Sequence, residues 1–168
     1  MPNHWHMVLW PRCDGELSAF VRWLTHTHTM RWHAHYHSAG TGHLYQGRFK
    51  SFPLETDDHF YTVVRYVERN ALRANLARRA EKWRWSSLWQ RQHPEAKLAK
   101  LLQAWPLPEP RNWLDVVNSA PTKDEVEAVR RAVLRGSPFG CERWQGRTAK
   151  KLRLEYSLRP RGRPRTVE

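Results

Sequence analysis

The chain has 168 residues, enough for one modest core with appendages and too few for two full ones. Its 29 Lys+Arg against 16 Asp+Glu give +13, which makes a polyanion, nucleic acid foremost, the natural partner and says nothing of a reaction. Two cysteines far apart, with no CxxC, exclude a disulfide framework and a Cys-rich zinc site, and no apolar run reaches membrane length, so a cytoplasmic protein with no membrane partner is expected.

In chain order, His4 to Trp10 (HWHMVLW) alternates, with Trp5, Met7 and Leu9 on one face and His4, His6 and Val8 on the other, the periodicity of a buried strand. A strand opening three residues into the chain lacks a preceding hairpin partner, so a truncated or misassigned start, or a decayed copy, is expected. Glu16 to His37 places Leu17, Phe20, Val21 and Leu24 at helical spacing, with Gly40 to Gly42 as its latest end. Leu44 to Leu54 mixes aromatic and basic residues and reads as a second strand, with Pro53 at its end or edge.

Thr56 is the expected cap of a helix from about Asp57 to about Ala74, with Asp57 and Asp58 favourable at the positive end of its dipole. Phe60, Val64, Val67, Ala71 and Ala74 form its apolar stripe, and His59, Tyr66, Asn70 and Arg73 a polar stripe beside it. Pro106, Pro108 and Pro110 stiffen a connector within a linker over 91–121. A capping box, Thr122 with Glu125, then opens a helix that Gly136 can end, in a small helical appendage over 122–158. The last stretch, 159–168, is an expected disordered basic arm.

On a strand, His4 and His6 share a face roughly 7 Å apart at the backbone, so both imidazoles can converge on one cation. An isolated pair of this kind is more often just two satisfied polar residues. Tyr66 and Asn70, at i and i+4 on one helical face, add a hydroxyl and an amide that can reach one spot. His33 and His37 are also spaced i, i+4, with His26, His28, His35 and His43 nearby, but no Cys or carboxylate joins them at a zinc spacing, so a polar helix face is the preferred reading.

The segments MPNHWHMVLWP, LYQGRFKSF, RYVERNALRANL and WRWSSL, in that order and spacing, resemble REP-associated tyrosine transposases of the HUH single-tyrosine class, over nearly the whole chain. The resemblance implies an α+β fold: a partial ferredoxin-like antiparallel sheet with packed helices, lacking its first strand, helix and strand, over a truncated catalytic domain at 1–90. It implies that His4, His6 and Asn70 hold Mg²⁺ or Mn²⁺. Tyr66 is then the nucleophile that nicks and joins single-stranded DNA through a 5′-phosphotyrosyl link, as an endonuclease and strand transferase in DNA transposition and recombination. Tyr61, about 140° around the helix from Tyr66, ranks below it. The implied partner is single-stranded or hairpin DNA of the REP palindrome type; the alternative is a catalytically inactive, truncated DNA-binding remnant.

Arg48, Lys50, Arg65, Arg69 and Arg73 are the expected phosphate contacts, and Arg161 and Arg163, in a Pro-Arg-Gly-Arg-Pro arm, suit a narrow minor groove. Trp83 and Trp89 can stack on unpaired bases, whereas core packing is the favoured reading for Trp85. Ala71 stands where the family commonly has Pro, and Asn75 where it commonly has Gly; Ala lets the helix continue, and Asn tolerates a left-handed turn.

Overall fold

A computed structural model describes Met1 and residues 3–159 of the chain. These fall into two compact units, Met7–Lys50 and a larger one made of Met1–His6 with the chain from Ser51 onward.

The smaller unit is built on α1 (Glu16–Tyr36), entered from Gly15 at φ 81° and closed at His37, whose left-handed backbone (φ 49°) lets its N–H reach the His33 carbonyl. Of its residues only Val21 is buried, because the apolar spacing of its first two turns gives way to alternating Thr and His after Leu24.

The larger unit is helical throughout: α2 (Asp58–Glu68), α3 (Asn70–Arg73), a 3₁₀ turn (Ala80–Lys82), α4 (Ser87–Gln92), a second 3₁₀ turn (Ala99–Leu101), α5 (Trp113–Asn118), α6 (Lys123–Arg135), α7 (Glu142–Leu152) and α8 (Glu155–Leu158). The Thr122–Glu125 capping box forms at the start of α6, and Gly136 ends that helix at φ 65°. Asn75 takes the left-handed turn after α3 at φ 56°. The N-cap of α2 is Asp57 and not Thr56: extended at φ −146°, Asp57 accepts the His59 N–H on Oδ1 at 2.9 Å.

The expected α+β architecture with an antiparallel sheet is not what the chain adopts. Among the described residues no strand forms, and the single isolated bridge is parallel, between Leu54 and Phe139. Residues 4–10 take no regular secondary structure, because a sheet needs a neighbouring strand to exchange backbone hydrogen bonds and among the described residues no strand forms. The face expected to be buried is open accordingly, with Met7 42% and Leu9 40% exposed. Within the second expected strand, Gly47 at φ 88° turns the backbone and Pro53 has no N–H to give, so only Leu54 pairs.

Packing in the larger unit centres on α2. Phe60, Val63 and Val64 are buried, with Ala71 of α3, Leu88 of α4, Trp113 and Val117 of α5, and Val129 and Ala132 of α6. Burial of a side chain such as Phe60 contributes about 1.5–3 kcal/mol. Of the expected stripe, Val67 is half-buried and Ala74 exposed, because the helix steps at Arg69 and turns its last residues outward.

One carboxylate lies inside this core. Glu68, 2% exposed, accepts from the Ser87 hydroxyl at 2.6 Å and from the Trp113 indole N–H at 2.8 Å, which ties α2 to α4 and α5. Burial raises its pKa, against the pull of those two donors.

Candidate active site

Across the step at Arg69 two backbone bonds persist: the Arg69 N–H bonds the Arg65 carbonyl at 2.9 Å and the Arg73 N–H bonds the Arg69 carbonyl at 2.9 Å. Tyr66, Asn70 and Arg73 therefore keep helical spacing and face one way. Against that face lie the side chains of His4 and His6. The Asn70 Nδ2 group is 3.1 Å from His4 Nε2, and the two imidazole rings are 5.1 Å apart, edge to face. The His6 ring is 5.7 Å from the Tyr66 ring, also edge to face. Arg73 closes the group, with its guanidinium 5.0 Å from the Tyr66 ring centre and an Nη2 hydrogen bond of 2.6 Å to Asn70 Oδ1.

The electrostatics keep the imidazoles uncharged. Burial, the neighbouring His4 and the Arg73 guanidinium push His6 down to about 4, and partial burial lowers His4 as well. At neutral pH both rings offer lone pairs, the state in which histidine ligates a cation. Two imidazole nitrogens and an amide oxygen are a donor set that suits a divalent ion. The Asn70 oxygen faces Arg73 and its nitrogen faces His4, so ligation through oxygen requires the amide to turn over.

Tyr61 is elsewhere. Its hydroxyl donates to the Pro108 carbonyl at 2.7 Å, and its ring packs near Trp105 and Trp113. The histidines of α1 form local pairs, His28 with the Tyr45 hydroxyl at 2.7 Å and His33 with the Ser38 hydroxyl at 3.0 Å.

The arginines singled out for phosphate divide. Arg73, Arg48 and Lys50 are exposed, the last two in the smaller unit. Arg65 and Arg69 are committed internally: Arg65 bonds the Ser119 carbonyl at 3.1 Å and lies 3.6 Å from Glu125, and Arg69 bonds the Val117 carbonyl at 2.9 Å and also that of Asn118. Both hold the C-terminal end of α5, where unpaired carbonyls attract a cation. Arg161 and Arg163 lie outside the described residues. Trp85 is not in the core: it is 63% exposed, with the Arg84 guanidinium 4.9 Å from its ring centre. Trp89 stacks on His93 at 3.9 Å.

Sequence reasoning missed Glu68 and the anchoring role of Arg69. A signal for the first was present, since Glu68 lies four residues after Val64 and three before Ala71, in register with the apolar stripe. A carboxylate at such a position needs buried donors.

Among the described residues no helix is long and apolar enough to cross a membrane. No curated protein and no solved structure matches the chain. A family model described as IS200-like transposase matches residues 1–70, a span that contains His4, His6, Tyr66 and Asn70. Over those residues the chain is similar to the IS200-like transposases, which supports a transposase-type, DNA-processing role.

Proposed function

We propose that the chain nicks and rejoins single-stranded DNA beside a REP-type hairpin, with Tyr66 as nucleophile and His4, His6 and Asn70 as the protein ligands of Mg²⁺ or Mn²⁺. The observation that carries this reading is the meeting of two segments 66 positions apart, with Asn70 within 3.1 Å of His4 and the Tyr66 ring 5.7 Å from His6. A phenol, two neutral imidazoles, an amide and a guanidinium in one cluster are the groups a phosphodiester transfer needs.

In this mechanism the Tyr66 oxygen attacks phosphorus, a Tyr66 O–P bond forms and the P–O3′ bond breaks. The phenolic proton leaves as attack proceeds, and the departing 3′ oxygen takes up a proton, so the products are a 5′-phosphotyrosyl link and a free 3′-hydroxyl. A divalent cation bound there supplies polarisation of a nonbridging phosphate oxygen. Arg73 stands where its guanidinium can turn from Asn70 to the phosphate, which a planar, always-charged donor grips in two places. Strand transfer is the reverse step with another 3′-hydroxyl and needs no nucleotide cofactor, because the covalent link stores the energy of the broken bond.

Incubating the chain with Mn²⁺ and a hairpin oligonucleotide labelled on the 5′-phosphate side of the scissile bond tests this. The expected result is a denaturant-resistant protein–DNA adduct, present in Tyr61→Phe and absent in Tyr66→Phe. An adduct that survives Tyr66→Phe refutes the assignment, and hairpin binding without any adduct supports the noncatalytic DNA-binding reading instead.

A further inference from the structure

We propose that α7 docks on double-stranded DNA, the duplex stem of a hairpin substrate, through a cationic face built of Arg143, Arg147 and Lys150. The proposal rests on the DNA-processing reading of the chain but not on Tyr66 as nucleophile. These three residues recur at helical spacing and share one face over an axial distance of about 10 Å, with Lys151 beside them. All four are exposed, and among the described residues none of their side chains has a hydrogen-bond or ion-pair partner. Arg65 and Arg69, held by carbonyls at the end of α5, are the contrast. Against these four cations α7 has one carboxylate, Glu142, at its first position.

The opposite face packs inward and fixes which way the cations point. Ala149 is fully buried, Trp144, Gln145 and Thr148 are half-buried, and the Gln145 side-chain amide donates to the Gly140 carbonyl at 2.6 Å. A second observation points to a partner that comes close. Gly146 lies in the middle of the cationic face, in a helix interior where Gly is less stable than Ala. Apart from the helix's own backbone, nothing lies within 4 Å of the Cβ that Ala would add, so packing among the described residues does not call for the missing side chain. Bare backbone between Arg143 and Lys150 lets a sugar–phosphate strand or a groove edge approach the helix.

Duplex DNA suits this face better than a single strand does. Proteins that hold unpaired strands set aromatic rings among their cations for bases to stack on, and here Trp144, the one aromatic residue of α7, is half-buried outside the face. The major groove of B-form DNA, about 12 Å wide, admits a helix, whereas that of an RNA duplex is too narrow.

Fluorescence anisotropy of the full chain without divalent metal, so that no strand is cut, on a DNA hairpin and on an unstructured single strand of equal length tests this. Arg143→Gln/Arg147→Gln/Lys150→Gln is expected to weaken hairpin binding about tenfold or more and to lower its log–log salt slope by about 2.7, roughly 0.9 for each lost phosphate contact. Single-strand binding is expected to fall no more than about threefold, with helical circular dichroism unchanged. Gly146→Leu, melting no lower than wild type, is expected to weaken hairpin binding about fivefold or more, which a purely structural glycine would not. Wild-type hairpin affinity in the triple variant or in Gly146→Leu overturns the proposal. So does an equal loss on the single strand, on an RNA hairpin of the same sequence or on acidic lipid vesicles, each of which makes the face a general polyanion patch. The assay reads no adduct, so its failure and that of Tyr66 as nucleophile are distinguishable.

Discussion

Replacing Trp113 by Phe removes one N–H from the buried Glu68 carboxylate while keeping an aromatic ring beside Trp105 and Tyr61. The bond removed is the 2.8 Å one to Glu68 Oε2, on a group 2% exposed with the Ser87 hydroxyl as its other donor. A hydrogen bond to a charged, buried acceptor contributes about 1.5–3 kcal/mol. The smaller ring leaves a gap that costs about 1 kcal/mol more. A total of about 3 kcal/mol corresponds to a fall in Tm of roughly 6–12 °C for a chain of this size.

The loss should also depend on pH. Burial raises the folded-state pKa of Glu68, so its contribution is fully present below the unfolded carboxylate value and is lost as pH rises through the folded one. The Trp113 donor stabilises the charged form, so without it the folded pKa rises further and the destabilisation is larger at pH 8 than at pH 4. Thermal and urea unfolding of wild type, Trp113→Phe, Glu68→Gln and the double variant at both pH values measure this. A loss that is independent of pH and unchanged in the Glu68→Gln background would refute the view of Glu68 as a hydrogen-bonded tie between helices.

Gly140→Ala should destabilise the fold by about 1–3 kcal/mol, because the new methyl would lie 2.5–2.8 Å from Glu55 and Trp144 atoms; urea unfolding reads it. Arg69→Ala should lower stability by a similar amount, since the Val117 and Asn118 carbonyls would then be without its guanidinium, and leave the salt dependence of DNA binding unchanged. Arg48→Ala and Lys50→Ala should do the reverse, reducing the log–log salt slope on single-stranded DNA by roughly 0.7 for each phosphate no longer neutralised, with unfolding unaffected. Arg73→Ala should slow adduct formation about 10–100-fold and lower stability by about 1 kcal/mol, because the buried Asn70 Oδ1 loses its donor, as measured by adduct time courses beside melting curves.

Local periodicity by itself determined a good part of this protein. The spacing of Tyr66, Asn70 and Arg73 puts them on one helical face whatever surrounds the helix, and the Thr122–Glu125 box with Gly136 delimits α6, because caps and helical faces depend only on residues a few positions apart. The sharing of a face by His4 and His6 likewise needs only an extended backbone. Tertiary structure decided the rest. Alternation along His4 to Trp10 predicts a strand, but a sheet exists only where another strand supplies the ladder, and among the described residues none forms. Whether an arginine faces a phosphate or a carbonyl is equally nonlocal: Arg65 and Arg69 meet the end of α5, which enters the sequence more than forty residues later. The meeting of His4 with Asn70, and of Glu55 with Cys141, spans 66 and 86 positions, separations at which chain packing alone sets a distance.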